Sequence, residues 1–383
     1  MRSDAHYSSA DRDDRLLKLA LVHDQLLTSG GSERVFLTIA KAFPQADIFT
    51  LAYNPATTLE GYKALGVKTI WPRGLIRSHD AFKRVFAPGT LAMERLDLRG
   101  YDLVLSSSAT VAKYARRHRG NHICYCYYPT RAIWEPTTYF GEGGGVSRAI
   151  FARLLPWLRR RDLEAAQRVS RFVAISDASR EAIHRYYDRE ADVLHCPIET
   201  ERFRPRGPVH RESSFLLVSR LERWKRVEYA VEAFSRLGMP LKIVGSGPDA
   251  ARLERMAGPS IEFLGSLNDD QLTLEYQRAR AVIFTPELEF GLIPLEANAA
   301  GTPVIALGRR GVLETMVPAS TNGRHDGRPT AVFFPDPTAD ALEGALLRFE
   351  GISWDTDTLI RHAGNFSEAR FQDRIRRIVN EYS

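Results

Sequence analysis

The feature that most constrains this chain is a recurrence in its second half. Short apolar, β-branched runs return at regular intervals: FLLVS (Phe215–Ser219), LKIVG (Leu241–Gly245), IEFLG (Ile261–Gly265), AVIFT (Ala281–Thr285) and PVIAL (Pro303–Leu307). Segments of helical period lie between them. In one, Val227, Val231, Phe234 and Leu237 recur at i, i+4, i+7 and i+10, a stripe that one helix face can bury. Strands alternating with helices at this spacing predict a parallel sheet joined by right-handed crossovers. Runs that are apolar throughout fit a sheet covered on both faces. The second half is therefore expected to be a doubly wound α/β domain.

The first half follows the same grammar less regularly. Its candidate strands are Leu19–Asp24, Ala46–Tyr53, Val67–Trp71, Leu103–Ser108, His122–Tyr128, Arg171–Ser176 and Asp192–Cys196. Helices are expected over Ser32–Ala42, through Arg148–Val169 and after Asp177. The stretch RFRPRGPVHRESS (Arg202–Ser214) has two prolines and no apolar period, and reads as a linker. At roughly 100–200 residues per domain, 383 residues are too many for one core. Two α/β domains of similar size, 1–205 and 206–365, with a cleft between them follow from that boundary.

Composition narrows the classes. Hydrophobic residues at 44% and charged residues at 26% are globular values and exclude a disordered or fibrous chain. No apolar run reaches the ~18 residues that span a bilayer. The first 17 residues are polar and partly acidic, unlike a secretory leader. Three cysteines are an odd count, which implies no disulfide framework and points to a reducing cytoplasm. The net charge of +6 suits nucleic acid, an anionic membrane or phosphorylated small molecules alike. The sequence has no basic helix-turn-helix, zinc-finger spacing or RNP-type strand, so nucleic acid is not an expected partner.

The chemistry-bearing segment is TPELEFGLIPLEANAAGTPVI (Thr285–Ile305). It reads as strand, glycine-containing loop, helix from about Leu292, stop at Gly301, and strand from Pro303. A helix starting at the carboxyl end of a parallel strand points its unpaired N–H groups into the crevice where such sheets bind ligands. Those donors and the helix dipole favour phosphate or sugar hydroxyls. Glu287, Glu289 and Glu296 could accept from sugar or ribose hydroxyls, although Glu296 also suits a first-turn acid stabilising its own helix. A second constellation, VSRLERWKR (Val218–Arg226), puts Arg220 and Lys225 in the loop between a strand and a helix. Paired cations there can meet the charge that develops on a leaving diphosphate, Arg as a planar fork and Lys as a point charge. SGGSER (Ser29–Arg34) and GSGP (Gly245–Pro248) are weaker signals, consistent with tight turns or close ligand approach.

SRLERWKR together with FGLIPLEANAAGTPVI resembles the family-4 retaining glycosyltransferases, which have the GT-B fold: two Rossmann-like domains facing a cleft. VHDQLLTSGGSERV, YDLVLSSSATVAK, HICYCYYPTR and RFVAISDASREAI extend the likeness over almost the whole chain. The branch it is most similar to contains bacterial mannosyltransferases of lipopolysaccharide O-antigen and exopolysaccharide assembly, many using GDP-mannose. The resemblance implies that Arg220 and Lys225 grip the donor diphosphate without a metal. It also implies that backbone N–H groups of Phe290, Gly291 and Leu292 meet sugar and phosphate, that Glu296 meets the ribose, and that Gly30 and Gly31 line the cleft from the first domain. A last helix around Phe366–Tyr382 is expected to cross back onto that domain. Two positions depart from the family pattern. Counting back from Glu296 by the motif of Glu, seven residues, Glu reaches Leu288, flanked by Glu287 and Glu289. One of these would supply the sugar-facing carboxylate after a loop shift, with Glu289 the favoured one. Tyr127 stands where the branch often carries His, and its phenol would donate to a sugar hydroxyl or phosphate.

The expected activity is retaining transfer of a hexose, mannose from GDP-mannose first, onto a lipid-linked glycan, with no cofactor beyond the nucleotide-sugar donor. The rivals are a nucleotide-sugar epimerase on the same fold and a weakly catalytic partner subunit that binds nucleotide-sugar or glycan. Other features carry less. Cys124 and Cys126 share a strand face and read as buried thiols rather than half a metal site. Asp355 or Asp357 reads as a helix cap. RAIFARLLPWLRRR (Arg148–Arg161) combines large apolar residues with five arginines. It suits either an anionic membrane surface or a core helix kinked at Pro156, so a cytoplasmic or inner-membrane-peripheral location is expected.

Overall fold

In the computed structural model, which describes residues 17–116, 120–136, 146–319 and 328–382, the apolar runs form two separate parallel sheets. The polar stretch 1–16 lies outside the described residues. The first sheet contains β1 (Leu19–His23), β2 (Asp47–Thr50), β3 (Lys68–Thr69), β4 (Leu103–Ser108), β5 (Asn121–Cys126), β6 (Arg171–Ala174) and β7 (Ala191–Val193), in the order 3-2-1-4-5-6-7. The second contains β8 (Phe215–Val218), β9 (Leu241–Val244), β10 (Ile261–Gly265), β11 (Val282–Phe284), β12 (Val304–Leu307) and β13 (Ala331–Phe334), in the order 10-9-8-11-12-13. The two orders are the same plan, with one extra edge strand in the first. Each sheet reverses its winding once, between β1 and β4 and between β8 and β11. Crevices that bind ligands in such folds lie at the carboxyl ends of the strands at this switch.

The central strands are apolar because helices cover both faces. β1, β4 and β12 are buried along their whole length. The helices that matter below are α1 (Gly31–Ala42), α2 (Val146–Gln167), α3 (Asp177–Tyr187), α4 (Val227–Leu237), α5 (Leu292–Ala299) and α6 (Glu368–Asn380). α4 buries Val227, Val231 and Phe234 as its stripe predicts, while Leu237 in its last turn stays exposed. The run Val67–Trp71 yields only two paired residues. It lies at the sheet edge and Pro72 interrupts it, although Ile70 and Trp71 still donate to the carbonyls of Thr50 and Leu51.

α6 lies against α1. Thr38 Oγ1 donates to Glu368 (2.7 Å), Arg376 Nε to the Ala42 carbonyl (3.1 Å), and Phe371 meets the Tyr125 ring edge-on at 5.6 Å. The expected linker Arg202–Ser214 starts later than its composition suggested, because Arg202 and the buried Phe203 close a short helix, Thr200–Phe203. The rest is tied to the second sheet through Arg211, which donates to Thr302 Oγ1 (2.8 Å) and to the Ala279 carbonyl (3.0 Å). α2 runs through Pro156 without interruption. Its second half is core-packed through Leu158, Asp162, Ala165 and Ala166, whereas Leu154 and Trp157 are each 42% exposed. The side chains of Arg148 and Ile150 lie outside the described residues. Cys124 and Cys126 are buried, unbridged thiols, and Asp355 caps its helix by accepting from the Asp357 N–H (3.3 Å).

Candidate active site

β8 and β11, the strands astride the switch of the second sheet, deliver both motifs to one place. After β8 the chain makes a short turn at Arg223–Lys225 and enters α4 through Arg226, whose backbone is left-handed (φ 58°). Gly245 backs this loop, since a Cβ there would sit 1.8 Å from the Ser219 carbonyl oxygen. GSGP is thus a close-approach element behind the basic loop. Arg220 is 70% exposed and rests on Glu222 at 2.8 Å. Such an exposed pair is worth little, so an arriving anion can take the guanidinium over. The Lys225 ammonium lies over the Trp224 ring, 4.1 Å from its centre. Burial, helped by repulsion from Arg220, pulls its pKa down to about 8 against the attraction of Glu222 and Glu289. Thr285, just past β11, donates to the Lys225 carbonyl (2.7 Å) and locks the two loops together.

After β11 the loop 285–291 leads into α5. Its N-cap is Gly291, no side chain caps it, and its first turn holds no acid. The leading N–H groups and the positive end of the helix dipole are therefore available to an anion. Phe290 is nearly buried and stacks on His195 at 5.7 Å. Across the cleft, a Cβ on Gly31 would come within 3.0 Å of Leu292 Cδ1. The amino ends of α1 and α5 thus face each other at Gly31, whereas a Cβ on Gly30 would meet Glu33 of its own half, 2.6 Å from its carboxylate.

Glu296 lies deeper, accepting a hydrogen bond from the Tyr276 hydroxyl (2.8 Å). Burial pushes its pKa up, against that hydrogen bond and the charges of Arg34 and Arg202. Arg34 comes from α1 and also pairs with Asp269 (3.0 Å) and Glu199 (3.3 Å), linking the halves.

The expectations for Tyr127, Glu287 and Glu289 change. The Tyr127 hydroxyl donates to the Ser32 carbonyl (3.0 Å) and pairs with Ser107 Oγ (2.9 Å). It is committed to holding the end of β5 against the start of α1 rather than presented to a sugar. Leu288 packs against the core shared by the two halves, so the family's carboxylate position carries an apolar anchor. Neither flanking glutamate is open. Glu287 pairs with Arg310 (2.8 Å), Arg226 (3.4 Å) and Arg309 (3.9 Å). Burial pushes its pKa up, but these guanidiniums outweigh burial and hold it below the ordinary carboxylate value. Glu289 pairs with Arg310 (3.0 Å) and with Arg131 from the first half.

The residues missed in the sequence are thus Arg131, Arg226 and Arg310. Arg131 follows β5 within the HICYCYYPTR segment, and Arg310 follows β12 within GRRG. Two glutamates and an aspartate were also missed. Asp24, directly after β1, accepts backbone N–H bonds from Ala109 (2.7 Å), Thr110 (2.9 Å), Val111 (2.7 Å) and Ala112 (2.6 Å) beyond β4. It fills the switch crevice of the first sheet. Glu33, in the first turn of α1, accepts from Gln25 (2.7 Å), Thr28 (2.9 Å) and Ser32 (2.9 Å). Glu314, from the short helix Val312–Thr315, reaches across the cleft to the start of α3 and accepts from the Asp177 N–H (2.7 Å). Among the described residues, no group of three or more His, Cys, Asp or Glu is placed to hold a metal, and no helix is long and apolar enough to cross a membrane.

Residues 29–202 match the family described as Glycosyltransferase Family 4, and residues 198–353 match Glycosyl transferases group 1. Over 338 residues, 75% of this chain and 79% of the relative, the sequence is 26% identical to human Alpha-1,3/1,6-mannosyltransferase ALG2. Over 169 residues, 42% of each chain, it is 24% identical to the Escherichia coli O-antigen chain mannosyltransferase C. Curated relatives at 34% identity match over shorter stretches, and the chain spans only 30–35% of their length. Among solved structures, Anabaena Alr3699/HepE in complex with UDP is similar at a TM-score of 0.69 and 16% identity, covering 95% of this chain and 100% of that one. At that identity the likeness shows a shared GT-B fold alone.

Proposed function

We propose that this chain, which belongs to the glycosyltransferases built from a family-4 first half and a group-1 second half, moves mannose from GDP-mannose onto a lipid-linked glycan with retention at the anomeric carbon. One observation carries the reading of a nucleotide-sugar donor. Arg220 and Lys225 follow one strand of the switch, and the uncapped start of α5 follows the other. A diphosphate set between them meets two cations and a row of N–H donors at once. The acceptor hydroxyl bonds to the anomeric carbon as that carbon's bond to the diphosphate breaks, and the hydroxyl proton passes to the departing phosphate oxygen. The departing charge falls on Arg220, Lys225 and the N–H groups of Phe290, Gly291 and Leu292, whose fixed orientation is what stabilises a transition state. Metal-free operation belongs to the same reading.

Mannose is supported by two relatives whose names are mannosyltransferases, at 26% and 24% identity. The Anabaena neighbour binds UDP, which supports a nucleotide-bound donor and leaves guanine to be tested. Glu296 would reach the ribose only by sharing its carboxylate with Tyr276. Glu289 would reach the sugar only after leaving its two arginines. The exposed Leu154 and Trp157 of α2, beside Arg153 and Arg160, are where an anionic membrane carrying the acceptor would be met.

Calorimetric titration with GDP, UDP, ADP and dTDP, with and without Mg²⁺, tests the donor. GDP-selective binding without metal, followed by GDP release from GDP-mannose only when a polyprenyl-diphosphate-linked glycan is added, is the expected result. Selective UDP binding would remove mannose, and conversion of the donor without acceptor would turn the reading into an epimerase.

A further inference from the structure

Arg131 and Arg310 stand on opposite walls of the cleft, yet both bond the carboxylate of Glu289, which is 12% exposed. Two guanidiniums converging on one planar anion in a partly desolvated crevice is how proteins hold a phosphate. Each arginine is held in place by its own half. Arg131 lies over the Tyr128 ring, 4.6 Å from its centre, and pairs with Glu135 at 3.7 Å. Arg310 sits on the turn after β12 with a left-handed backbone (φ 54°), a conformation that disfavours any residue with a Cβ. The turn has no latitude, because a Cβ on the adjacent Gly311 would sit 2.2 Å from the Glu289 carbonyl oxygen, and the Gly311 N–H donates to Leu288 (3.0 Å). Arginine is thus kept at a strained position whose side chain enters the cleft. Around it four guanidiniums (Arg131, Arg226, Arg309, Arg310) meet three carboxylates (Glu135, Glu287, Glu289), next to the loop that carries Arg220 and Lys225.

We propose that Arg131 and Arg310 form an interdomain clamp for one phosphate of a bound diphosphate, and that Glu289 fills the clamp until an anion displaces it. The proposal rests on the chain being a transferase of nucleotide sugars. A diphosphate can come from the donor or from a lipid-diphosphate acceptor, and the clamp chemistry is the same for both. Because each half supplies one guanidinium, a phosphate bound there also ties the two halves together.

The test is calorimetric titration of the full chain with inorganic pyrophosphate, GDP and farnesyl diphosphate. Arg131→Ala and Arg310→Gly are each expected to weaken pyrophosphate binding about tenfold, the loss of one charge-assisted hydrogen bond. Glu289→Gln, which empties the clamp of its charge while keeping the side-chain shape, is expected to tighten it severalfold. Arg310→Lys keeps the charge without the fork and should fall between, and thermal unfolding of each variant confirms that it folds. If the arginine variants lose GDP, the clamp serves the donor; if they lose farnesyl diphosphate instead, it serves the acceptor. Unchanged binding of all three ligands overturns the proposal. So does Glu289→Gln weakening pyrophosphate as much as the arginine variants, which would mark the cluster as a structural ion pair. Arg220→Ala separates this from the underlying function. If it loses GDP while the clamp variants keep every ligand, the transferase reading stands and the clamp falls. If the parent binds pyrophosphate through the clamp but no nucleotide, the clamp stands and the transferase reading falls.

Discussion

Raising the pH from 7 to 9 should weaken nucleoside diphosphate binding about tenfold through Lys225 alone. Burial, with repulsion from Arg220, lowers this lysine to about 8 in the protein without ligand. A lysine is charged below its pKa, so the side chain is about nine-tenths ammonium at pH 7 and about one-tenth at pH 9. A diphosphate in contact with it favours the charged form and raises the pKa again. Binding therefore takes up a proton, and affinity falls as pH rises through 8. At pH 9 the loss is about 1.4 kcal/mol, or about tenfold. The assay is titration with GDP at three pH values and constant ionic strength, in two buffers of different ionisation enthalpy so that proton uptake is counted directly. Lys225→Arg keeps its charge throughout and removes the titration of the ligand from the comparison. Identical pH slopes in parent and variant, or no proton uptake near pH 9, would refute the argument and move the diphosphate away from Lys225.

Arg220→Ala should weaken GDP binding about ten- to a hundredfold, from a lost charge-assisted bond of about 1.5–3 kcal/mol. Its exposed pair with Glu222 predicts an unchanged melting temperature. Asp162, fully buried, takes hydrogen bonds from Tyr114, Tyr187 and Trp134 (2.7 Å each) and pairs with Lys113 (2.7 Å). Asp162→Ala strands a buried ammonium and should cost about 3–5 kcal/mol in urea unfolding; a loss under about 1 kcal/mol would contradict the burial argument. Gly311→Ala should force the 287–290 loop and the turn after β12 apart, costing about 1–3 kcal/mol of stability together with nucleotide affinity, measured by denaturation and calorimetry on the same sample.

The sheets were legible because their strands are apolar on both faces, and Phe215–Ser219 or Pro303–Leu307 needs no tertiary knowledge to be recognised. Val67–Trp71 was overestimated because periodicity does not show that a strand lies at an edge. At the site, Arg220 and Lys225 could be placed because a basic loop after a strand is a local signal. Arg131 and Arg310 could not, since residues on two domains meet only through the docking of one on the other. The retreat of Tyr127 from the cleft is likewise set by partners, Ser32 and Ser107, far from it in sequence. Asp24 reads as an ordinary strand-ending acid until the four N–H groups beyond β4 fold around it.

That aspartate breaks a symmetry. A chain folded twice on one strand order would present two equivalent crevices, each with its own attraction for negative charge. In the first sheet Asp24 takes up the donors at the switch, while Glu33 and Glu314 place carboxylates at the starts of α1 and α3. In the second, α5 begins with neither cap nor acid. The two walls therefore offer a polyanion different chemistry: free backbone donors at the start of α5 on one side, and on the other carboxylates at the helix starts beside a side-chain cation, Arg131.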